Sequence, residues 1–125
     1  MELQRLPDAE FELMKIMWHT TCPVTSTILA GLLPEGIDWK AQTILTLLKR
    51  MEKRGFVSSH KEGKERLYMP LVTEMEYMEF EARMLSRRYE KGSLLGLVGS
   101  LYQGQKLDAA EISELEQWLK EKGNE

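Results

Sequence analysis

The sequence predicts a mainly α-helical protein with one small β-hairpin and a helical tail behind it. Three observations predict this. Apolar residues recur at helical spacing in three segments before Gly55. Two short strand-favouring runs then flank Glu62-Gly63. From Glu74 the helical period returns and persists toward the end of the sequence.

Asp8 is placed to cap a first helix over 9–18, where Phe11, Met14 and Trp18 share a stripe beside Leu13 and Met17. Cys22-Pro23 interrupts the chain. Thr25 or Ser26 then caps a second helix running to about Leu33, with Ile28, Leu29 and Leu32 turned inward. Pro34-Glu35-Gly36 makes a turn. The third helix begins near Lys40 and stops at Gly55, a fitting residue just past a helix that closes on Lys53-Arg54. Its Ile44, Leu47, Leu48 and Met51 fall on one face at about 100° per residue. Gln42, Thr43, Thr46, Lys49, Arg50 and Lys53 fill the other.

The expected strands cover 56–61 and 65–71, favoured by Val57, Leu67, Tyr68 and Met69. Lys61, Lys64 and Arg66 make this hairpin basic, and Pro70 suits a strand end. Beyond it, Met75, Met78, Ala82, Leu85 and Tyr89 form one helical stripe, with Tyr77, Phe80 and Met84 in a second beside it. That apolar surface is wider than one helix on a small domain needs. Gly92 is expected to end this helix. Leu94, Leu97, Val98 and Leu101 mark a short helix, and Asp108-Ala109-Ala110-Glu111 reads as a capping box for a last one.

Composition bounds the function. With 42% hydrophobic and 30% charged residues, the chain is an ordinary globular one. No apolar run approaches the roughly 18 residues of a membrane span. The first residues lack the charged-then-apolar pattern of a signal peptide, and Cys22 is the single cysteine, so the expected location is cytoplasmic. The net charge of −3 is unevenly spread. Residues 38–66 hold 8 basic and 4 acidic side chains, whereas 73–125 hold 7 and 11. A basic segment beside an acidic tail suits a chain in which one part meets phosphate and the other meets protein.

Three helices followed by a basic hairpin is the order of a winged helix-turn-helix, placed at 1–72, with 73–125 as a helical dimerisation region. The third helix of such a fold buries one face and offers the other to the major groove, which admits one α-helix. Gln42, Thr43 and Thr46 carry short amide and hydroxyl groups suited to base edges. Lys40, Arg50, Lys53, Lys61, Lys64 and Arg66 are the expected phosphate contacts, joined by Thr25 and Ser26 at the start of the second helix. One tail stripe can pack within the chain and the other across a two-fold axis. Tyr77, Phe80, Met84, Leu94, Val98 and Leu101 are the expected dimer contacts.

These residues resemble the BlaI/MecI/CopY family of bacterial transcriptional repressors. The resemblance begins at Leu6-Pro7-Asp8-Ala9-Glu10-Phe11 and runs through Asp38-Trp39-Lys40-Ala41-Gln42-Thr43 to Lys53-Arg54-Gly55-Phe56-Val57. It continues at Tyr68-Met69-Pro70-Leu71-Val72, Gly92-Ser93-Leu94 and Leu107-Asp108-Ala109-Ala110-Glu111, nearly the whole chain in order. It implies a homodimer on a partly palindromic duplex DNA operator, paired through the helices after the hairpin. It also implies relief by proteolysis in those helices, acting downstream of a membrane sensor protease. The matching place here is Ser100-Leu101, which lacks the Asn-Phe pair of β-lactam-responsive members. Thr43, Thr46 and Arg50 keep the family's recognition pattern, while Gln42 and Leu45 depart from it.

Other chemistry is poorly supplied. His19, His60 and Cys22 fall short of the four ligands that zinc takes, so no metal and no cofactor are expected. No phosphate loop or nucleophile-base pairing stands out, so an enzyme is not expected. The competing reading is a winged-helix protein-interaction module without DNA binding.

Overall fold

The computed structural model describes residues 3–89 and 93–124. Its order is α1 (Asp8–Trp18), α2 (Ser26–Gly31), α3 (Ala41–Lys53), β1 (Val57–Glu62), β2 (Glu65–Pro70), α4 (Glu74–Arg88), α5 (Ser93–Gln103) and α6 (Ala109–Gly123). The chain divides into two compact units, Met1–Arg83 and Met84–Glu125.

The first unit is a winged helix-turn-helix with a closed core. Leu13, Met14 and Met17 of α1, Leu29 of α2 and Ile44, Leu48 and Met51 of α3 are buried, together with Phe56, Val57 and Tyr68. Asp8 does not cap α1. Pro7 holds that position, and Asp8 is the first helical residue, its carboxylate at the positive end of the helix. Helix α2 is capped by Thr25, whose Oγ1 accepts from the Ile28 N–H at 3.1 Å. It ends at Gly31, and Ile28 and Leu32 are exposed instead of turned inward. A helix this short buries only Leu29, with Ala30 half-buried against the core.

Helix α3 follows its apolar spacing, with Ile44, Leu47, Leu48 and Met51 all buried. It closes in a left-handed C-terminal turn. Gly55 takes φ +85°, its N–H donates to Glu52 O at 3.0 Å, and Phe56 N–H donates to Met51 O at 2.9 Å. Strands β1 and β2 pair antiparallel from Val57 opposite Pro70 to Glu62 opposite Glu65. Gly63 supplies the positive φ of a two-residue loop. Val24 adds a short third edge, exchanging backbone hydrogen bonds with Tyr68 at 3.0 and 2.7 Å.

Two features lie outside the periodic pattern. Glu10 is 1% exposed and forms an ion pair with Arg54, joining α1 to the end of α3. An unpaired charge there would cost several kcal/mol, about 3–5 when one partner of a buried pair is removed. The second feature is where the unit ends. Thr73 and Glu76 cap α4 reciprocally, the Glu76 N–H donating to Thr73 Oγ1 and the Thr73 N–H to Glu76 Oε1. Tyr77, 2% exposed, then enters the core among Phe11, Trp18, Phe56 and Phe80, and its hydroxyl accepts from the Leu6 N–H at 2.7 Å. Trp18 Nε1–H donates to Val72 O at 2.8 Å, and His19 pairs with Glu74 at 3.0 Å. The unit therefore runs past residue 72 into α4.

In the second unit, α5 ends in a left-handed turn like that of α3, but Gln105 occupies the positive-φ position at +58°. Gln105 N–H donates to Tyr102 O and Lys106 N–H to Leu101 O. Asp108 caps α6 by accepting from the Glu111 N–H at 2.8 Å. Neither α5 nor α6 holds a buried residue. Gly92, expected to end α4, lies outside the described residues.

Candidate nucleic-acid interface

The one-sidedness of α3 creates the candidate site. Because Ile44, Leu47, Leu48 and Met51 take one face into the core, Gln42, Thr43, Leu45, Thr46, Lys49, Arg50 and Lys53 are left exposed on the remainder. Lys40 precedes the first turn, which has no side-chain cap and no acidic residue, so no carboxylate within that turn offsets the positive end of the helix. Thr46 donates its hydroxyl proton to Gln42 O at 2.9 Å, leaving its lone pairs and methyl for an outside partner. Leu45, 37% exposed, is an apolar group on an otherwise polar face.

The hairpin stands beside this face. An open groove of about 760 Å³ runs between them, lined by Gln42, Leu45, Thr46, Lys49, Glu52, Arg66 and Tyr68. Lys61 lies opposite Arg66 in the strand register, and Lys64 sits in the loop. Among the described residues Lys40, Lys49, Arg50, Lys53, Lys61 and Lys64 hold no ion pair. The wing is less basic than its lysines suggest, because Glu62 faces Glu65 at the tip. Burial pushes the Tyr68 phenol above its ordinary range, with Arg66 opposing and Glu52 adding to the shift.

The structure sorts the expected contacts. Gln42, Thr43, Thr46, Lys40, Arg50, Lys53, Lys61 and Lys64 are all exposed on α3, its entry or the wing. Thr25 does not join them. It is buried, and its hydroxyl oxygen is occupied in capping α2, while Ser26 is half-buried beside it. Arg66 is committed elsewhere, donating to Ser59 Oγ at 2.9 Å. Lys49, Glu52 and Tyr68 line the groove without having been expected as contacts. The helical period could have supplied Lys49, whereas Glu52 and Tyr68 depend on where the hairpin folds back.

Among the expected dimer contacts, Tyr77 is spent inside the first unit and Phe80 packs half-buried against the same core. The stripe left uncovered is the other one, with Met75, Met78, Leu85 and Tyr89 exposed. Met84, Leu94 and Leu101 are exposed, and Val98 is half-buried. Burial pushes the Cys22 thiol above its ordinary value, and the thiol donates to Met17 O at 3.4 Å. No group of three His, Cys, Asp or Glu among the described residues could hold a metal ion, and none of their helices is long and apolar enough to cross a membrane.

The penicillinase repressor family model matches residues 6–121. The chain belongs to this family. The penicillinase repressor of Bacillus licheniformis is 32% identical over 123 residues, which span 98% of this chain and 95% of that protein. The methicillin resistance regulatory protein MecI of Staphylococcus aureus (strain N315) is 29% identical over 117 residues, 94% of each chain. Among solved structures, the DNA binding domain of the repressor BlaI matches with a TM-score of 0.52 at 32% identity, over 61% of this chain and 92% of that one. The Bacillus licheniformis BlaI monomeric form in complex with the blaP half-operator matches with a TM-score of 0.50, at the same identity and coverage. This penicillinase repressor family member is a transcriptional regulator, not an enzyme.

Proposed function

We propose that this repressor binds duplex operator DNA as a homodimer in the cytoplasm. Helix α3 enters the major groove, and the wing lies along the phosphate backbone. The observation that carries the reading is the exposed polar face of α3 beside cations that hold no ion pair among the described residues. Gln42 and Thr43 reach base edges, with the lone pairs and methyl of Thr46 beside them. Lys40, Arg50, Lys53, Lys61 and Lys64 neutralise phosphates, which supplies affinity without sequence information. A relative seen with a half-operator supports the docking, and two copies on a partly palindromic site are its two-fold counterpart.

The dimer is formed by the tail. Met84, Leu94, Val98 and Leu101 remain its contacts, with the exposed stripe of Met78 and Leu85 taking the place of Tyr77 and Phe80. Cleavage at Ser100-Leu101 downstream of a membrane sensor protease is the release route, and exposure of both residues supports it. Both lie within α5, so a protease requires local opening of that helix.

Charge reversal at Arg50, Lys53 and Lys64 together tests the interface. Operator binding by the full chain should vanish while the unfolding midpoint stays put; retained binding would put the reading surface elsewhere. Met78→Glu with Leu85→Glu should turn the dimer into a monomer in sedimentation and weaken binding to a full site more than to a half-site.

A further inference from the structure

Glu52, Ser59 and Arg66 come from three elements and meet at one hydroxyl. Arg66 Nη1–H of β2 donates to Ser59 Oγ of β1 at 2.9 Å. That hydroxyl lies 2.9 Å from both carboxylate oxygens of Glu52, on α3, and donates to them. Lys61 is the residue opposite Arg66, so Arg66 reaches diagonally to the residue two places from it on the same face of the hairpin. The base of the hairpin is already fixed by the turn at Gly55 and by Phe56 N–H on Met51 O. The Ser59 contact adds a tie further along the strand, where a small hinge error would be carried outward to the Lys61 and Lys64 end.

Charge supports the same assignment. Glu52 is an exposed acid lining the groove, where it would repel an approaching phosphate. Arg66 offsets that charge through Ser59. Lys61 and Lys64 hold no ion pair among the described residues and remain available to the backbone. Glu52 and Arg66 are exposed and Ser59 is half-buried, so solvent screens the charges and the network adds little to folding stability.

We propose that Glu52, Ser59 and Arg66 form a positioning relay that sets the wing against the recognition helix, with Arg66 acting through it and not as a phosphate contact. The proposal rests on the DNA-binding reading above. It predicts that removing any link loosens the wing, so that Lys61 and Lys64 still reach phosphate but at an added ordering cost, and no ion contact is lost.

The test measures the affinity of the full chain, across a salt series, for a duplex it has selected from a random-sequence pool. Ser59→Ala and Arg66→Met should each weaken binding at fixed salt by about fivefold to tenfold, the scale of one ordinary hydrogen bond. The double variant should lose no more than either single one. Ser59→Thr, which keeps the hydroxyl on a strand, should restore wild-type affinity. The slope of log affinity against log salt should stay unchanged in all of these. In Lys64→Met it should fall by about 0.9 per protomer, the signature of a lost phosphate contact. Thermal unfolding of Ser59→Ala should match wild type. A slope loss of that size in Arg66→Met, with Ser59→Ala silent, would make Arg66 a phosphate contact and overturn the relay. A wild-type slope in Lys64→Met would overturn the DNA-facing wing beneath the proposal, and the relay with it.

Discussion

The two units use apolar residues in opposite ways. In the first, α1, α2, α3, the hairpin and the opening turns of α4 enclose Leu13, Leu29, Leu48, Phe56 and Tyr77 within one chain. In the second, Leu94, Leu95, Leu101, Tyr102, Leu115, Trp118 and Leu119 are exposed, and Leu95 reaches 81%. Single exposed apolar side chains are ordinary, but a run of them on successive helices is the mark of an interaction surface. The first unit encloses its own core, and the second carries the apolar surface that the proposed homodimer would cover.

The largest test of this contrast is where the first unit stops. A fragment of residues 1–83 should unfold cooperatively, while one of residues 1–72 should be at least about 3 kcal/mol less stable, the cost of losing a buried aromatic such as Tyr77. Denaturant unfolding decides it, and equal stability would return the boundary to residue 72. Next is the buried pair. Arg54→Met strands the Glu10 carboxylate and should cost about 3 kcal/mol, and adding Glu10→Leu should recover most of that. If the double variant stays as unstable as the single one, the pair is not what Arg54 supplies.

A smaller effect compares one device in both units. Gly55→Ala forces a side chain into a left-handed position and should cost about 1 kcal/mol. Gln105→Gly relieves the same conformation after α5 and should gain about 0.5 kcal/mol, since glycine also loses more chain entropy. Like signs in calorimetry would show that the two turns are not equivalent. The smallest effect is at the start of α4. The Thr73 backbone N–H, and then its hydroxyl, hold the Glu76 carboxyl below its ordinary value. Its contribution is therefore complete above the ordinary carboxylate range and is lost as pH falls through that range to the lowered value. Glu76→Gln should flatten this part of the acid limb of stability against pH.

Much of this was legible in the sequence. The spacing of Ile44, Leu47, Leu48 and Met51 announces α3, Gly55 its end, and Glu62-Gly63 the hairpin. What escaped is what periodicity cannot hold. A period gives two stripes on α4 but not which one turns inward, and that choice belongs to the cavity between Phe11, Trp18 and Phe56 that Tyr77 fills. Glu10 reads as a surface acid until Arg54, 44 positions away, is brought to it. Arg66 reads as one more wing cation until the strand register carries it toward Ser59 and Glu52. Lys49 and Thr73 were missed within reach of local reasoning: the period of α3 places Lys49 on the exposed face, and Thr-x-x-Glu before an apolar stripe is a capping signature.

The split of α3 into a buried and an exposed face also bears on how such a regulator diverges. Gln42 and Leu45, the two positions that depart from the family's recognition pattern, are both on the exposed side and carry no part of the core. Mutations at these positions are spared the cavity and strain penalties that confine variation at Leu48 or Met51. If α3 reads DNA as proposed, a lineage can change its target through Gln42 and Leu45 while the scaffold beneath them stays under unchanged selection.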